Sequence, residues 1–163
     1  MYLDPRKPQT WNGQIRDVIA ELPTFTSQQI PHPLYHGTAS NQFAHFDFER
    51  SCQTVWLTPN LAKAQHMATD FQQAGRGPAA YAVECTVASG EFKVFASEAA
   101  IFQLGKLFQP GGNRVETLTN AALAVQAAGF IGMVDCYGRP EQPADQHSYG
   151  IVVPSALQIM RFI

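Results

Sequence analysis

The sequence predicts an α+β fold that forms a single domain. Some segments repeat apolar residues every three or four positions, as helices do, and others alternate apolar with polar residues, as half-buried strands do. The chain has 163 residues, of which 45% are hydrophobic, so it is long and apolar enough to bury one core. Several short strands with three or four helices among them are typical of this fold class.

The N-terminal part predicts an arm, a helix and a connector. Residues 1–10 are polar and contain prolines, which is typical of an arm. Residues 14–22 repeat apolar side chains at helical spacing until Pro23 ends the helix. Residues 23–33 contain three prolines and are predicted to connect the helix to the first strand.

The remainder of the chain alternates short strands with helices. Apolar residues at every second position predict the strands, and Gly129 stands where a left-handed helix cap is expected. Three phenylalanines in the first long loop are expected to pack on the domain. The predicted strands are 34–38, 55–58, 80–87, 91–95, 130–136, 149–153 and 157–163, and the predicted helices are 60–73, a short one after Ser97, and 116–128.

Composition excludes several classes of protein. The formal net charge is −2 and only 15% of the residues are charged, which disfavours a broad face for nucleic acid. Cys52, Cys85 and Cys136 lie too far apart for a disulfide framework or a zinc site, so we expect reduced thiols and no metal. Neither a signal-peptide core nor a membrane-spanning run is present. We therefore expect a cytoplasmic protein, or one exported without a signal peptide, that does not contact membranes.

Two short blocks contain residues suited to ligand binding. Residues 35–38 (YHGT) place an imidazole at a strand end, beside a glycine whose backbone a ligand can approach closely. Residues 55–60 (VWLTPN) end a second strand with an aromatic ring that can stack on a flat heterocycle. Each block also has a plainer interpretation, with His36 as a hydrogen-bonded, half-buried histidine and Trp56 as core packing.

These two blocks and two later ones, in their order along the chain, resemble motifs of the ADP-ribosyltransferase superfamily. The resemblance is to the branch of diphtheria-type toxins and poly(ADP-ribose) polymerases. Residues 35–38 are similar to the family's first motif, and residues 55–60 to its aromatic strand and following helix. Residues 129–135 (GFIGMVD) and 149–154 (YGIVVP) look like its closing motifs. The resemblance covers about residues 34–159 and implies a split antiparallel β-sheet core with short flanking helices.

The resemblance implies a clamp for NAD, which would be a substrate. It assigns the adenosine-side ribose hydroxyls to His36, the nicotinamide carboxamide to the backbone of Gly37, and the nicotinamide ring to Trp56. Thr38 would lie near the same ribose as His36. Met67 falls where the family has a second stacking aromatic, and methionine offers no flat face.

No aspartate or glutamate of this sequence aligns with the family's catalytic glutamate. Its position falls on Tyr149, or on Ser148 if the strand shifts by one residue. We predict Tyr149 and His147 as the catalytic residues, assisting a reaction that relies on an acid of the substrate itself. The alternatives are that Glu141 or Asp145 reaches in from the preceding loop, or that catalysis is lost. Removing a group aimed at developing charge commonly costs about 10²–10³-fold in rate.

The predicted function is that of a NAD-dependent mono-ADP-ribosyltransferase-like protein, as a toxin or effector. It would release nicotinamide and transfer ADP-ribose to a macromolecular acceptor, a protein rather than a nucleic acid, chosen by the loop at 137–146. The alternatives are a catalytically silent nucleotide- or protein-binding module of the same fold, an RNA 2′-phosphotransferase, and a domain with no nucleotide site. We expect an N-terminal arm and helix at 1–33 and the single domain at 34–163.

Overall fold

Residues 2–163 are described by a computed structural model, in which helices and strands follow one another much as predicted. Its helices are α1 (Gly13–Glu21), α2 (Leu61–Gln73), α3 (Glu98–Lys106) and α4 (Arg114–Ala127). Its strands are β1 (Thr24–Thr26), β2 (Leu34–Thr38), β3 (Val55–Leu57), β4 (Tyr81–Val87), β5 (Glu91–Phe95), β6 (Gly132–Asp135), β7 (Ser148–Ile151) and β8 (Leu157–Phe162). Within residues 2–163, none of the helices has the length and apolar character needed to cross a membrane.

The strands form two sheets. The larger has the order β1-β5-β6-β7-β3 and the smaller the order β2-β4-β8. An isolated bridge between Tyr35 and Thr58 connects them. The predicted α+β class with a split sheet is confirmed, but the larger sheet is mixed rather than antiparallel, because β5 and β6 run parallel. A parallel pair needs a long crossover, and here that crossover contains both α3 and α4.

Two hydrophobic clusters lie on opposite faces of the larger sheet, because successive side chains of a strand point to opposite faces. On β6, Val134 belongs to the cluster that also contains Leu34 and Val83 of the smaller sheet. Its neighbour Met133 belongs to the second cluster, which contains side chains of α1, α3 and α4. The larger sheet is thus covered by the smaller sheet on one face and by helices on the other.

The segment before β2 packs onto the same structure. β1 pairs with β5, so residues 24–26, predicted as part of a connector, form an edge strand instead. Lys93 is 5% exposed, and its ammonium group donates to the Leu22 carbonyl (3.0 Å) and the Thr24 hydroxyl (3.2 Å). Ile15 of α1 is buried in the second cluster. This segment therefore supplies both a strand and a helix to the architecture.

The other predicted elements are confirmed, with differences at their ends. α4 begins earlier than predicted, because Asn113 and Glu116 form a capping box that satisfies the first N–H groups of the helix. β6 and β7 are shorter than predicted, since their ladder pairs only residues 132–135 with 148–151. Gly129 has a φ of +97°, the left-handed conformation predicted for the cap.

Two of the cysteines are buried, and the phenylalanines of the first long loop pack on the domain as predicted. Cys85 and Cys136 are buried and unpaired. Phe48 is buried in the first cluster, and Phe43 and Phe46 pack against it. The long loop between β2 and β3 is thus attached to the body of the protein.

Candidate functional site

A cavity of about 450 Å³ is enclosed by β2, β3, the ends of β6 and β7, and helices α2, α3 and α4. This volume lies within the range of about 300–1,000 Å³ that is typical of small-molecule sites. Its lining includes four of the five residues predicted to bind NAD, namely His36, Gly37, Trp56 and Met67. The fifth, Thr38, lies outside the lining, and its hydroxyl accepts a hydrogen bond from the Ser40 N–H (3.2 Å) in the turn after β2.

His36 is held in one orientation and one tautomer. Its Nδ1 lies 2.8 Å from the Trp56 carbonyl oxygen, and because a carbonyl can only accept, Nδ1 carries the proton and donates it. The Phe46 ring packs edge-on against the imidazole, with the ring centroids 5.1 Å apart. Burial lowers the pKa of His36, and the hydrogen bond to Trp56 opposes this effect only in part. The neutral ring therefore presents Nε2 as a hydrogen-bond acceptor.

Gly37 is required by helix packing and also exposes its backbone to the cavity. A Cβ atom on Gly37 would lie 2.4 Å from the Ala64 carbonyl oxygen, so a larger residue would push α2 away from β2. Tyr35 exchanges both of its backbone hydrogen bonds with Thr58, on the side of β3. Because backbone groups alternate sides along a strand, the N–H and C=O of Gly37 point to the same side as those of Tyr35, two residues earlier. They therefore point away from Ala82, the partner of Gly37 on β4. They are free to face a ligand.

Trp56 belongs both to the protein interior and to the cavity. Its ring packs on Gly150 of β7, where a Cβ atom would lie 3.0 Å from ring atom Cζ3. The ring also packs against the second cluster while it lines the cavity. Trp56 is therefore both a packing residue of the interior and part of the cavity wall.

Met67 is 38% exposed and lies on the cavity wall, whereas its helix neighbours Ala64 and Ala68 are buried.

The two predicted catalytic residues lie outside the cavity lining. Tyr149 is fully buried in the first cluster, its hydroxyl donates to the Ala144 carbonyl, and burial raises the pKa of the phenol. His147 is 2% exposed, and its Nδ1 has no hydrogen-bond partner within residues 2–163. Because alternate side chains of β7 face opposite ways, it is Ser148 that faces the cavity. A catalytic role for Tyr149 and His147 stays a prediction that these positions do not favour.

The cavity is also lined by the carboxylate of Asp135, a residue for which the sequence predicts only a place near the end of a strand. Asp135 is the last residue of β6 and lies directly across from Ser148 of β7, and both line the cavity. Asp135 is 6% exposed, and its Oδ1 accepts a hydrogen bond from the Tyr137 N–H (2.8 Å). Burial raises the pKa of this carboxyl group. A carboxylate in an otherwise apolar strand is unusual and is the signal that could have identified Asp135.

Charged and polar side chains border the rest of the cavity. Arg114 Nη2 lies 2.7 Å from Glu98 Oε1, which joins the N-terminal ends of α4 and α3. The Lys63 ammonium lies 4.8 Å from the centroid of the Tyr137 ring. The Tyr137 hydroxyl forms a hydrogen bond with that of Ser148. The cavity therefore has two cations, Lys63 and Arg114, within reach of a negatively charged ligand.

The two loop carboxylates considered as replacements for the glutamate lie elsewhere. Glu141 and Asp145 are both exposed and neither lines the cavity. Within residues 2–163, no three His, Cys, Asp or Glu side chains come together in a group that could hold a metal ion.

Comparisons with known proteins give one structural relationship. No family model matches the chain, and no curated protein matches it in sequence. Its fold is similar to that of a chain in the crystal structure of the M. tuberculosis MbcT–MbcA toxin–antitoxin complex. The TM-score is 0.54 and the sequence identity 10%, with 93% of this chain and 92% of that chain covered. The likeness thus extends over nearly the whole chain and concerns its fold.

Proposed function

We propose that this chain is a NAD-dependent mono-ADP-ribosyltransferase-like protein, which breaks the bond between nicotinamide and ribose and passes ADP-ribose to an acceptor. One observation carries the proposal: four of the five residues that the sequence predicts to bind NAD, on β2, β3 and α2, line a single cavity. The cavity volume, about 450 Å³, is suited to a small-molecule ligand.

Each residue of this clamp offers a group that NAD can use. His36 Nε2 accepts a hydrogen bond from a ribose hydroxyl. The N–H and C=O of Gly37 pair with the oxygen and the amino group of the carboxamide. Trp56 packs against the nicotinamide ring. Lys63 and Arg114 attract the diphosphate, because charge-assisted hydrogen bonds to phosphate are among the stronger polar contacts.

The fold also supports a toxin-like role that a protein partner controls. The structural neighbour comes from a complex described as a toxin with its antitoxin. An enzyme that consumes NAD or modifies host proteins would arrest growth, so a cell that makes it needs an inhibitor. We therefore propose that the acceptor is macromolecular and that a partner protein restrains the activity.

Replacing His36 with alanine tests the clamp. His36→Ala removes the Nε2 acceptor and is expected to lower NAD affinity about five- to tenfold, the value of one hydrogen bond of roughly 1 kcal/mol. Calorimetric titration with NAD measures the affinity, and chromatography of released nicotinamide measures turnover. His66→Ala is the matched control, because His66 is exposed on α2 and does not line the cavity.

The possible results separate the alternatives. Equal NAD affinity in His36→Ala and wild-type protein would contradict the clamp. NAD binding without nicotinamide release, with or without added lysate, would indicate the catalytically silent module instead. Expressed in a bacterial host, wild-type protein and His66→Ala are expected to arrest growth, and His36→Ala to slow it less.

A further inference from the structure

We propose that Asp135 is the catalytic carboxylate of this cavity. This inference rests on the proposed function and identifies the residue that performs its central step. It assigns to β6 the group that the family resemblance places on β7.

Asp135 stands beside the position where the glutamate is expected. That position falls on residue 148 or 149, and Ser148 is the one that faces the cavity. β6 and β7 are antiparallel, with Asp135 directly opposite Ser148. Opposite residues share a face of the sheet, with Cβ atoms about 4.5–5.5 Å apart. A carboxylate on β6 can therefore reach the space in front of Ser148.

Trp56, the aromatic residue of the proposed clamp, lies on the same face of the sheet. Trp56, Gly150 and Met133 form one row across β3, β7 and β6, and Ser148 with Asp135 belongs to the next row. Neighbouring rows on one face are about 7 Å apart along the strand direction, and β3 and β6, which have β7 between them, are two strand spacings or about 10 Å apart. Because both side chains enter the cavity, a ribose joined to a ring at Trp56 lies within reach of Asp135.

The other acids are less suited to this role. Glu98 also lines the cavity, but its side chain is 50% exposed and paired with Arg114. Asp135 is 6% exposed and forms no ion pair within residues 2–163. Only its Oδ1 is hydrogen-bonded, to the Tyr137 N–H, so Oδ2 is left for a ligand. A buried, partly unsatisfied carboxylate is a strong electrostatic partner for positive charge.

The reaction assigned to Asp135 is heterolysis of the nicotinamide–ribose bond. The ionised carboxylate accepts a hydrogen bond from a hydroxyl of that ribose and faces the positive charge that develops at C1′. The electron pair of the C1′–N bond passes to the ring nitrogen, and neutral nicotinamide leaves. Water or an acceptor hydroxyl then forms the new C1′–O bond, and its proton passes to solvent.

Asp135→Asn tests this assignment directly. The variant keeps the shape and an oxygen for the Tyr137 N–H but loses the charge. We expect release of nicotinamide from bound NAD to slow by about 10²-fold or more, a larger loss than the accompanying loss of NAD affinity. Glu141→Gln and Asp145→Asn are the matched controls, since both residues are exposed outside the cavity, and they are expected to keep wild-type turnover.

The outcomes distinguish this proposal from the function on which it rests. Wild-type protein that neither binds NAD nor releases nicotinamide would overturn both. An active wild type with an equally active Asp135→Asn would overturn the role of Asp135 alone. Far-UV circular dichroism checks that the variant is folded.

A pH profile keeps the proposal testable if Asp135→Asn fails to fold. The charged or titratable groups around Asp135 are Glu98 of α3 with its ion-pair partner Arg114 of α4, Lys63 of α2, His147 before β7, and Cys136 and Tyr137 after β6. Activity needs the ionised carboxylate, so it falls as the pH drops through the pKa of Asp135. Glu98 raises that pKa, so Glu98→Gln is expected to move the acid limb of kcat/KM to lower pH. A wild-type kcat/KM profile with no acid limb would overturn the assignment.

Discussion

Burial alters the chemistry of two titratable residues in the cavity, in opposite directions. It lowers the pKa of His36 and raises the pKa of Asp135, because a low-dielectric surrounding disfavours whichever form is charged. For His36 the result is a neutral imidazole whose tautomer is set by the Trp56 carbonyl. For Asp135 the result is a carboxylate whose charge weakens the folded state, which is common where function requires a buried charge.

Asp135→Asn is therefore expected to stabilise the folded protein at neutral pH. The pKa of Asp135 is higher in the folded than in the unfolded chain, so the carboxyl group favours the fold below its unfolded pKa. That contribution is lost as the pH rises through the folded-state pKa. Asparagine has no charge to desolvate and keeps an acceptor for the Tyr137 N–H.

Urea denaturation at several pH values measures this effect. The free energy of unfolding of Asp135→Asn is expected to exceed that of the wild type at pH 7. The advantage should disappear below about pH 4, where the reference pKa of aspartate lies. A variant that is less stable across the whole range would show that the Asp135 charge stabilises the fold.

Among the elements, α2 determines the shape of one cavity wall. Asn60 caps this helix by accepting a hydrogen bond from the Lys63 N–H (3.1 Å). The helix approaches β2 closely because Ala64 is small and Gly37 has no side chain. This approach brings Lys63 and Met67 to the cavity. One glycine thus controls both the helix packing and the space for the ligand.

Gly37→Ala tests this dependence. The added methyl group would lie 2.4 Å from the Ala64 carbonyl oxygen and must displace α2. Overpacking of this kind costs about 1–3 kcal/mol. Gly111→Ala is the matched control, because no atom lies within 4 Å of a Cβ placed there, and it is expected to stay within about 0.5 kcal/mol of wild type. Equal urea midpoints for the two variants would contradict the packing argument.

At the scale of the whole molecule, the segment before β2 is tied to the rest of the chain. β1 extends the larger sheet, and α1 buries Ile15 and Ile19 in the second cluster. Met133 of β6, a cavity-lining residue, belongs to the same cluster. The division at residue 33 stays a prediction about domains, and these contacts connect its two sides.

Ile15→Ala tests whether the two sides unfold together. The Ile15 side chain is fully buried, and truncating it is expected to lower the free energy of unfolding by about 2–5 kcal/mol. Calorimetry should show one transition, shifted as a whole to lower temperature. Val115→Ala, at a position that is 60% exposed, is the control and should change the midpoint little. A second transition that Ile15→Ala leaves unmoved would support an independent domain at 34–163.

Local patterns in the sequence predict most of the elements. Alternation predicts β4, and the glycine after α4 predicts a left-handed cap, because both signals lie within a few consecutive residues. β1 has only three residues, between prolines, which is too short for any periodicity. It is a strand because β5 offers it an edge. The NAD-binding roles of His36, Gly37, Thr38 and Trp56 likewise stay predictions from two short blocks, because the family resemblance that implies them rests on local motifs.

The sequence by itself determined the fold class, the order of most of the elements and three residues of β2 and β3 that line the cavity, His36, Gly37 and Trp56. Only the tertiary structure decided that Asp135 and Glu98 are the carboxylates that line it. A shift of one residue along β7 separates the buried Tyr149 from the cavity-lining Ser148, because side chains alternate between faces. Asp135 reaches the same place from β6, and no local pattern records which residues of two strands become neighbours.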